Sequence, residues 1–590
     1  MLRNLLILAS AAIVIALPFV FRQSAELSQW KPGDPELIII TPHNEAIRYE
    51  FGRGFSAWHA ERYGAPVKID WRAIGGTSEI MRYLAAEYAS SFRAWFLAGG
   101  NDWPVGGASL MLDRRFKPDR PPEDLKNDPS ARAKWETQRA IWTAFREHDD
   151  PDMFSAKIDI FFGGGEYDHN KAARQGLTVV PWAPDAVPPD LLATAAGAEL
   201  IPERLSGETW RTTHFYGAVV STFGIVYNLD RLQDLGVTHA PAHWRDLTDP
   251  AYFGQLGVAD PTKSGSIAKT FEMIIHQACF DTIREAGFSE EEIVRLEEIF
   301  QAHRGDALPD GVPSAYQEAL EAGWLNGVRL VQRIGANARY FTDSSSKIPI
   351  DVSMGDAAVG LAIDFYGRYQ AETSRSADGT ERMKYITPHQ GSSVSADPMS
   401  LLRGAPNREL AQRFMEYVLS DAGQRLWNYR PGTPGGPAKF ALRRLPIRRD
   451  FYPSADLRFQ DQADAHAPNL TDPLHEQEVN PYRLAETFTY HARWTGAHFN
   501  IHRDLIRAMC LDSGEELRAA WKAILEHGGP DAQPDAVALV TRLPDVPEPV
   551  TWQTAPGISK THRSLDYMRQ WTIFFRTNYR EAQRLAEGKG

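Results

Sequence analysis

The chain has 590 residues, 43% of them hydrophobic and 11% aromatic, which is too long for one ordinary domain and enough to fill more than one core. Its formal charge of −12 is spread along the length without an acidic tail, which favours solubility and disfavours nucleic acid as a partner. The only two cysteines, Cys279 and Cys510, lie in apolar helical patterns, so neither a disulfide framework nor a cysteine-rich metal site can be built.

Arg3 precedes an uncharged, mostly apolar run from Leu5 to Phe21, and Arg22 ends it. The run reads as an export signal over 1–23. It is longer than a signal-peptide core and shorter than the ~20 residues of a typical spanning helix. Small residues at cleavage spacing are missing, since Phe21, Gln23 and Ala25 stand there, so an uncleaved inner-membrane anchor is favoured over a cleaved signal peptide. No second run is long enough to span a bilayer. Everything after about Gln23 is therefore expected in the periplasm.

A linker over 24–36 leads to Leu37–Ile40, a buried strand, with Thr41-Pro42-His43-Asn44 at its carboxyl end. A helix follows on Ile47, Phe51, Phe55 and Trp58, and Tyr63-Gly64 closes it. Val67–Trp71 reads as a second strand, and Gly75-Gly76-Thr77-Ser78 opens the next helix. This β-α-β-α order predicts a parallel sheet whose carboxyl-end loops gather at one edge, where open α/β sheets place ligands. From about Ser90 to Ala156 the pattern breaks into Trp-, Pro-, Asp- and Arg-rich sequence with one helix near Ser130–His148, read as an insertion over 90–156. Ile158–Phe162 restores a buried strand that runs into Gly163-Gly164-Gly165.

Val219–Asn228 is the next strand, and Gly257–Ser266 leads into a helix from about Ile267 to Cys279. A strand over Ala357–Ile363 runs into Asp364-Phe365-Tyr366, and Met383–Thr387 offers a path back to the first unit, so two chain crossings are implied. Arg408–Trp427 reads as one amphipathic helix, ended by Pro431–Pro437. The domains so read are lobe 1 over 37–218, lobe 2 over 219–387, a return to lobe 1 over 388–437 and a helical C-terminal extension over 438–590.

Hydroxyl- and glycine-rich turns at helix starts are anion-receiving geometry, because first-turn N–H groups have no internal partner and the helix dipole favours negative charge. On that basis Gly76, Thr77, Ser78, Ser264, Gly265, Ser266 and Ser345 are candidate anion ligands. His498 and His502 have i, i+4 spacing with His491 nearby, a possible metal pair if that segment is helical. The nucleophile-elbow, phosphate-loop and zinc-protease motifs do not occur, so no enzyme is expected.

The order of Thr41–Ala46, Ile158–Phe162, Gly224–Asn228, Pro261–Gly265, Gly355–Leu361 and Ala411–Gln424 resembles the bacterial extracellular solute-binding proteins, specifically type 2 periplasmic binding proteins near the ferric-ion-binding group. The resemblance covers roughly Leu37–Trp427. It implies a two-lobe α/β fold with a cleft between the lobes, hinge closure over a ligand, and docking of a monomer on an ABC permease driven by a separate ATPase. It also implies a metal set in which His43 and Tyr366 match the family, while Phe365 replaces a tyrosine and Gly164 stands at the carboxylate position, with Glu166 two residues on. Ferric iron is a hard cation that needs anionic oxygen ligands, so a small anionic solute is expected slightly ahead of a ferric complex, with no resident cofactor. Asn44, Glu166 and Asp364 complete the candidate ligand-binding residues. Two rival readings are an extracytoplasmic hydrolase or lyase on a similar frame, and a ligand-sensing subunit of a membrane receptor.

Overall fold

The computed structural model describes residues 30–588 apart from 123–127, 151, 304, 306, 455, 456, 477 and 478. The apolar N-terminal run lies outside the described residues. Among those described, no helix is long and apolar enough to cross a membrane.

Strand β1 (Glu36–Ile40) runs into Asn44, whose Oδ1 accepts from Ile47 N at 3.1 Å and so caps helix α1 (Glu45–Tyr63). Gly64, at φ 80, closes that helix. β2 (Lys68–Arg72) and α2 (Thr77–Ala98) follow. The start of the expected insertion at Ser90 thus falls inside α2, because Phe92 and Phe96 keep the helical repeat and are buried. The insertion's helix, α3 (Pro129–Arg146), is capped by Asp128 and packs Phe145 against Phe92 and Phe154. Next come β3 (Ile160–Phe162), α4 (Glu166–Arg174), a hairpin of β4 (Arg204–Leu205) and β5 (Glu208–Thr209), then β6 (Tyr216–Ser221) and β7 (Phe223–Asn228). Where one strand was expected over Val219–Asn228, two strands of different sheets meet at Thr222, and every residue in them is buried.

β8 (Leu256–Ala259), α5 (Gly265–Glu285), α6 (Ser314–Asn337), β9 (Ala338–Thr342), β10 (Val359–Ile363), α7 (Asp364–Thr373) and β11 (Met383–Ile386) build the second sheet and its helices. β9 has no counterpart in the sequence reading, since it continues directly from α6 without a turn residue. The chain returns as β12 (Ser395–Leu401). The single helix expected over Arg408–Trp427 is two, α8 (Arg408–Leu419) and α9 (Asp421–Asn428). Ser420 is extended (ψ 162), and its Oγ accepts from Gly423 N at 3.3 Å to start the second.

The first sheet has the order β13-β6-β12-β3-β1-β2, where β13 is Leu445–Pro446, and the second β11-β7-β10-β8-β9. β1 is parallel to β2 and β3, whereas β12 runs antiparallel to β3 and β6, so the sheet expected to be parallel is mixed. β6 passes into β7, and β11 into β12, which makes the two expected crossings between the lobes, and the chain crosses a third time between Ala485 and Trp494.

The stretch over 438–590 is not one helical body. Its first part binds lobe 1: β13 pairs with β6, and the buried Glu50 accepts the N–H groups of Ala438, Lys439 and Phe440 at 2.7–2.8 Å. From Trp494 on, helices α10 (Phe499–Ile506), α11 (Gly514–Glu526) and α12 (Ser564–Ala586) share one apolar core with α5 and α6 of lobe 2. The histidines considered for metal are consumed in that packing. His502 Nε2 accepts from Trp324 Nε1 at 2.8 Å, His498 Nε2 bonds Trp552 O at 2.6 Å, and burial holds both imidazoles neutral.

Candidate functional site

Between the lobes lies a cleft of about 1140 Å³, lined by the turns at strand carboxyl ends. Lobe 1 contributes Thr41–Asn44, Gly75–Thr77, Gly164–Asp168 and the β4–β5 hairpin. Lobe 2 contributes Lys263–Ser266, Asp343–Ser346 and Ile363, Phe365 and Tyr366, while Tyr490, Gly496 and Phe499 close a further side.

The floor is a buried ionic cluster. His43 leaves β1 beside Thr41, whose Oγ1 accepts the His43 N–H at 3.1 Å, and its ring stands edge-on to Phe162 at 4.6 Å. Its Nε2 is 3.2 Å from Asp397 Oδ2 and 3.3 Å from Arg444 Nη1. Arg444, with no exposed side-chain surface, donates from Nη1 to Asp397 Oδ2 at 2.5 Å and from Nη2 to Ser221 Oγ at 2.9 Å. Its guanidinium lies over the Phe365 ring, 4.3 Å from the centroid. Burial would raise the Asp397 carboxyl, but Arg444 and then His43 outweigh it and hold the group far below the usual carboxylate range. Burial pushes His43 the other way, against the pull of Asp397, so its imidazole stays neutral. Burial likewise raises the Tyr366 hydroxyl.

This cluster changes what His43 and Tyr366 can do. A fixed guanidinium stands beside both, where a metal reading needs anionic oxygen. Among the described residues, no group of three or more His, Cys, Asp or Glu side chains is placed to hold a metal ion.

Above the floor, three helix N-termini converge. α2 and α4 start at Gly76 and Gly165, which supply no side-chain cap, so their first-turn N–H groups stay open to the cleft. Gly164 holds φ +105, and a Cβ there would lie 2.6 Å from Thr77 Cγ2, so only glycine lets these two turns touch. A Cβ at Gly76 would lie 3.1 Å from Lys263 O of lobe 2, which brings the α5 terminus alongside. There Ser264 Oγ caps α5 through Ile267 N at 3.3 Å, and a hydroxyl chain runs from Ser264 to Ser266 (3.1 Å) and Ser345 (3.3 Å).

One end of the cleft is acidic. Lys269 Nζ from α5 bridges Glu208 of the hairpin at 3.0 Å and Glu272 at 2.9 Å, and sits 3.8 Å from the centroid of the Tyr490 ring. Tyr490 OH donates to Glu272 at 2.6 Å. Glu166, at the first position of α4, accepts from Asn170 Nδ2. Burial, and next the like charge of Glu208, push its carboxyl up to about 7.

Most of the sequence candidates thus stand on one cleft: His43, Asn44, Gly76, Thr77, Gly164, Glu166, Ser264, Gly265, Ser266, Ser345 and Tyr366. Asn44 spends its oxygen as the cap of α1. Two candidates fall outside it. Ser78 faces the C-terminal segment, its Oγ accepting from Arg503 at 3.0 Å. Asp364 is fully buried, with Oδ1 accepting from Phe365 N at 2.8 Å and Oδ2 4.0 Å from Arg368, so its carboxylate is spent within the first turns of α7 and does not face the cleft.

Arg444, Asp397, Lys269, Glu208 and Tyr490 line the cleft without being among the sequence candidates. Asp397-Pro398 offers a signal, since an acid followed by proline inside an apolar strand marks a bulge, and the β12 register shifts at that step. Arg444 offers another, as a charge flanked by Leu442 and Leu445 in a segment with apolar spacing.

A family model for bacterial extracellular solute-binding proteins matches residues 151–452. The chain is 22% identical over 275 residues to an uncharacterized protein of Haemophilus influenzae, covering 46% of this chain and 60% of that protein. It therefore spans about 60% of the length of that curated relative. Among solved structures it is similar to the periplasmic binding protein AfuA from Actinobacillus pleuropneumoniae with exogenous fructose-6-phosphate bound, at 14% identity and TM-score 0.39, covering 73% of this chain and 96% of that one. It is similar also to the apo ferric ion-binding protein A of Pasteurella haemolytica, at 10% identity and TM-score 0.38, covering 80% and 97%. With the family match extending over half of its length, the chain belongs to the bacterial extracellular solute-binding proteins.

Proposed function

We propose that this protein is the periplasmic solute-binding component of an ABC importer and that it takes up a small organic anion, a phosphorylated or carboxylated metabolite, in the cleft between its two lobes. The observation that carries the reading is the meeting of three helix N-termini, two of them uncapped, across a cleft of about 1140 Å³. Each terminus contributes about 0.3–1 kcal/mol to an anion, and up to about 2 when partly buried. Three give at most about 6 kcal/mol against the roughly 8 that micromolar affinity requires, so the remainder falls to side-chain donors. Ser266, Ser345 and Tyr366 are at hand for that.

A bare ferric ion fits less well. His43 Nε2 is already within 3.3 Å of both Asp397 and Arg444, and the guanidinium repels a cation. A hydrolase or lyase fits less well too: the Asp397 carboxylate is too weak a base, and the His43 nitrogen that would abstract a proton is shared with Asp397 and Arg444. Inner-membrane attachment through the N-terminal run, a permease with a separate ATPase as partners, and a monomeric state belong to the same proposal.

The test is a melting-shift panel of inorganic phosphate, sugar phosphates, dicarboxylates and a ferric chelate. A true ligand at 100 times its Kd stabilises the protein by about 2.7 kcal/mol. Stabilisation by a phosphorylated or carboxylated compound, lost on Gly164→Ala, is the expected result. Stabilisation by ferric ion alone overturns the reading.

A further inference from the structure

The segment from Ala485 to Arg503, which lies beyond the family match, is bonded to both lobes. On lobe 1, Ser206 Oγ donates to Ala485 O at 2.5 Å, and Tyr490 N donates to Ser206 O at 2.8 Å. The approach is backbone to backbone, since a Cβ at Gly207 would overlap Tyr490 O. The chain then crosses to lobe 2, where Trp494 enters the core shared with α5 and α6. From α10 it reaches back. Arg503 donates from Nε to Pro261 O at 2.8 Å and from Nη2 to Thr262 O at 2.7 Å, both on lobe 2. The same Nη2 donates to Ser78 Oγ of lobe 1 at 3.0 Å. One turn away, Asn500 Nδ2 donates to Tyr167 OH of lobe 1 at 2.7 Å, with the Phe499 and Tyr167 rings 5.2 Å apart.

We infer that residues 485–503 are a third wall of the binding cleft and a built-in latch, in which Arg503 and Asn500 hold lobe 1 to lobe 2 whether or not a ligand is bound. Two consequences follow from the geometry. The lobes are joined covalently at β6–β7, at β11–β12 and through this segment itself, so separation is a rotation about those connections, and a side chain bonded to both lobes must let one go first. The wall also places two aromatic rings, Tyr490 and Phe499, on the cleft, so this segment shapes what the cleft admits. Ser78, at the second position of α2, is held by this latch and is not open to solute.

The latch is tested without knowing the ligand. Tyr83→Cys on α2 of lobe 1 and Met354→Cys on lobe 2 replace residues 38% and 72% exposed, whereas the native Cys279 and Cys510 are buried and will not react. Spin labels on this pair report lobe separation by pulsed electron resonance. The ligand-free parent is expected to show one short distance, and Arg503→Ala to add a second, longer population. Should Arg503→Ala fail to fold, as a lost melting transition would reveal, Ser78→Ala combined with Tyr167→Phe removes the partners of both Arg503 and Asn500 on lobe 1 and leaves the lobe 2 core intact. An unchanged distance distribution in a folded latch variant overturns the inference, as does a ligand-free parent that already populates the longer distance. Neither outcome depends on the ligand being an anion, so failure here and failure of the proposed function are separable.

Discussion

Glu166→Gln is expected to stabilise the protein, and to do so only above a defined pH. The Glu166 carboxyl is raised from its ordinary 4.5 to about 7, first by burial and next by Glu208. The native state therefore keeps a proton there that the unfolded chain has lost, and between those two values stability falls as pH rises. At about 1.4 kcal/mol per unit of pKa, the full penalty is about 3 kcal/mol, absent below pH 4.5 and complete above pH 7. Glutamine keeps an oxygen for Asn170 Nδ2 and carries no charge toward Glu208. Urea unfolding of both proteins at pH 4.5 and pH 8 reads the difference directly. The variant should match the parent at the lower pH and exceed it by about 2–3 kcal/mol at the higher. Equal stabilities at pH 8, or a variant that is weaker there, would refute the assigned environment of Glu166.

Arg444→Met should cost about 3–5 kcal/mol by denaturant unfolding at pH 7, because it leaves Asp397 buried without its partner; adding Asp397→Leu should recover most of the loss, and a double variant no better than the single contradicts the pairing. Gly164→Ala forces an alanine to φ +105 and a Cβ to 2.6 Å from Thr77, so it should destabilise by about 1–3 kcal/mol and weaken anion binding in the same melting assay. Glu50→Ala strands three backbone N–H donors at 438–440 and should cost about 3 kcal/mol or more, with amide exchange quickening at Ala438, Lys439 and Phe440 and not across α12.

The lobes and the cleft-lining turns are legible in the sequence because their signals are local. Leu37–Ile40 before Thr41, and Ile160–Phe162 before three glycines, give strand ends whatever surrounds them. The helix starts at Thr77 and Gly265 are legible to within two residues for the same reason. The floor is not, because Arg444 meets Asp397 from 47 residues away and His43 from 401, and no periodicity carries such a distance. Asp364 misleads by position: it follows a strand as a ligand-facing residue should, yet its carboxylate turns inward to its own helix. Ser420 misleads in another way, since α8 and α9 together keep one apolar repeat while the backbone between them is extended. The divided C-terminal extension is hidden by composition alone, as its lobe 1 part holds by backbone bonds to Glu50 and β6 and its lobe 2 part by buried Trp494, Trp521 and Trp571.

The proposed function rests on three helix N-termini over an Arg444–Asp397–His43 floor, which together receive an organic anion. Mass spectrometry of protein purified gently from its own host, measured intact and then denatured, identifies what the cleft carries. The intact mass is expected to exceed that of the denatured chain by one phosphorylated or carboxylated small molecule, released on unfolding. A released ferric ion with no organic anion, or a cationic solute, would contradict it.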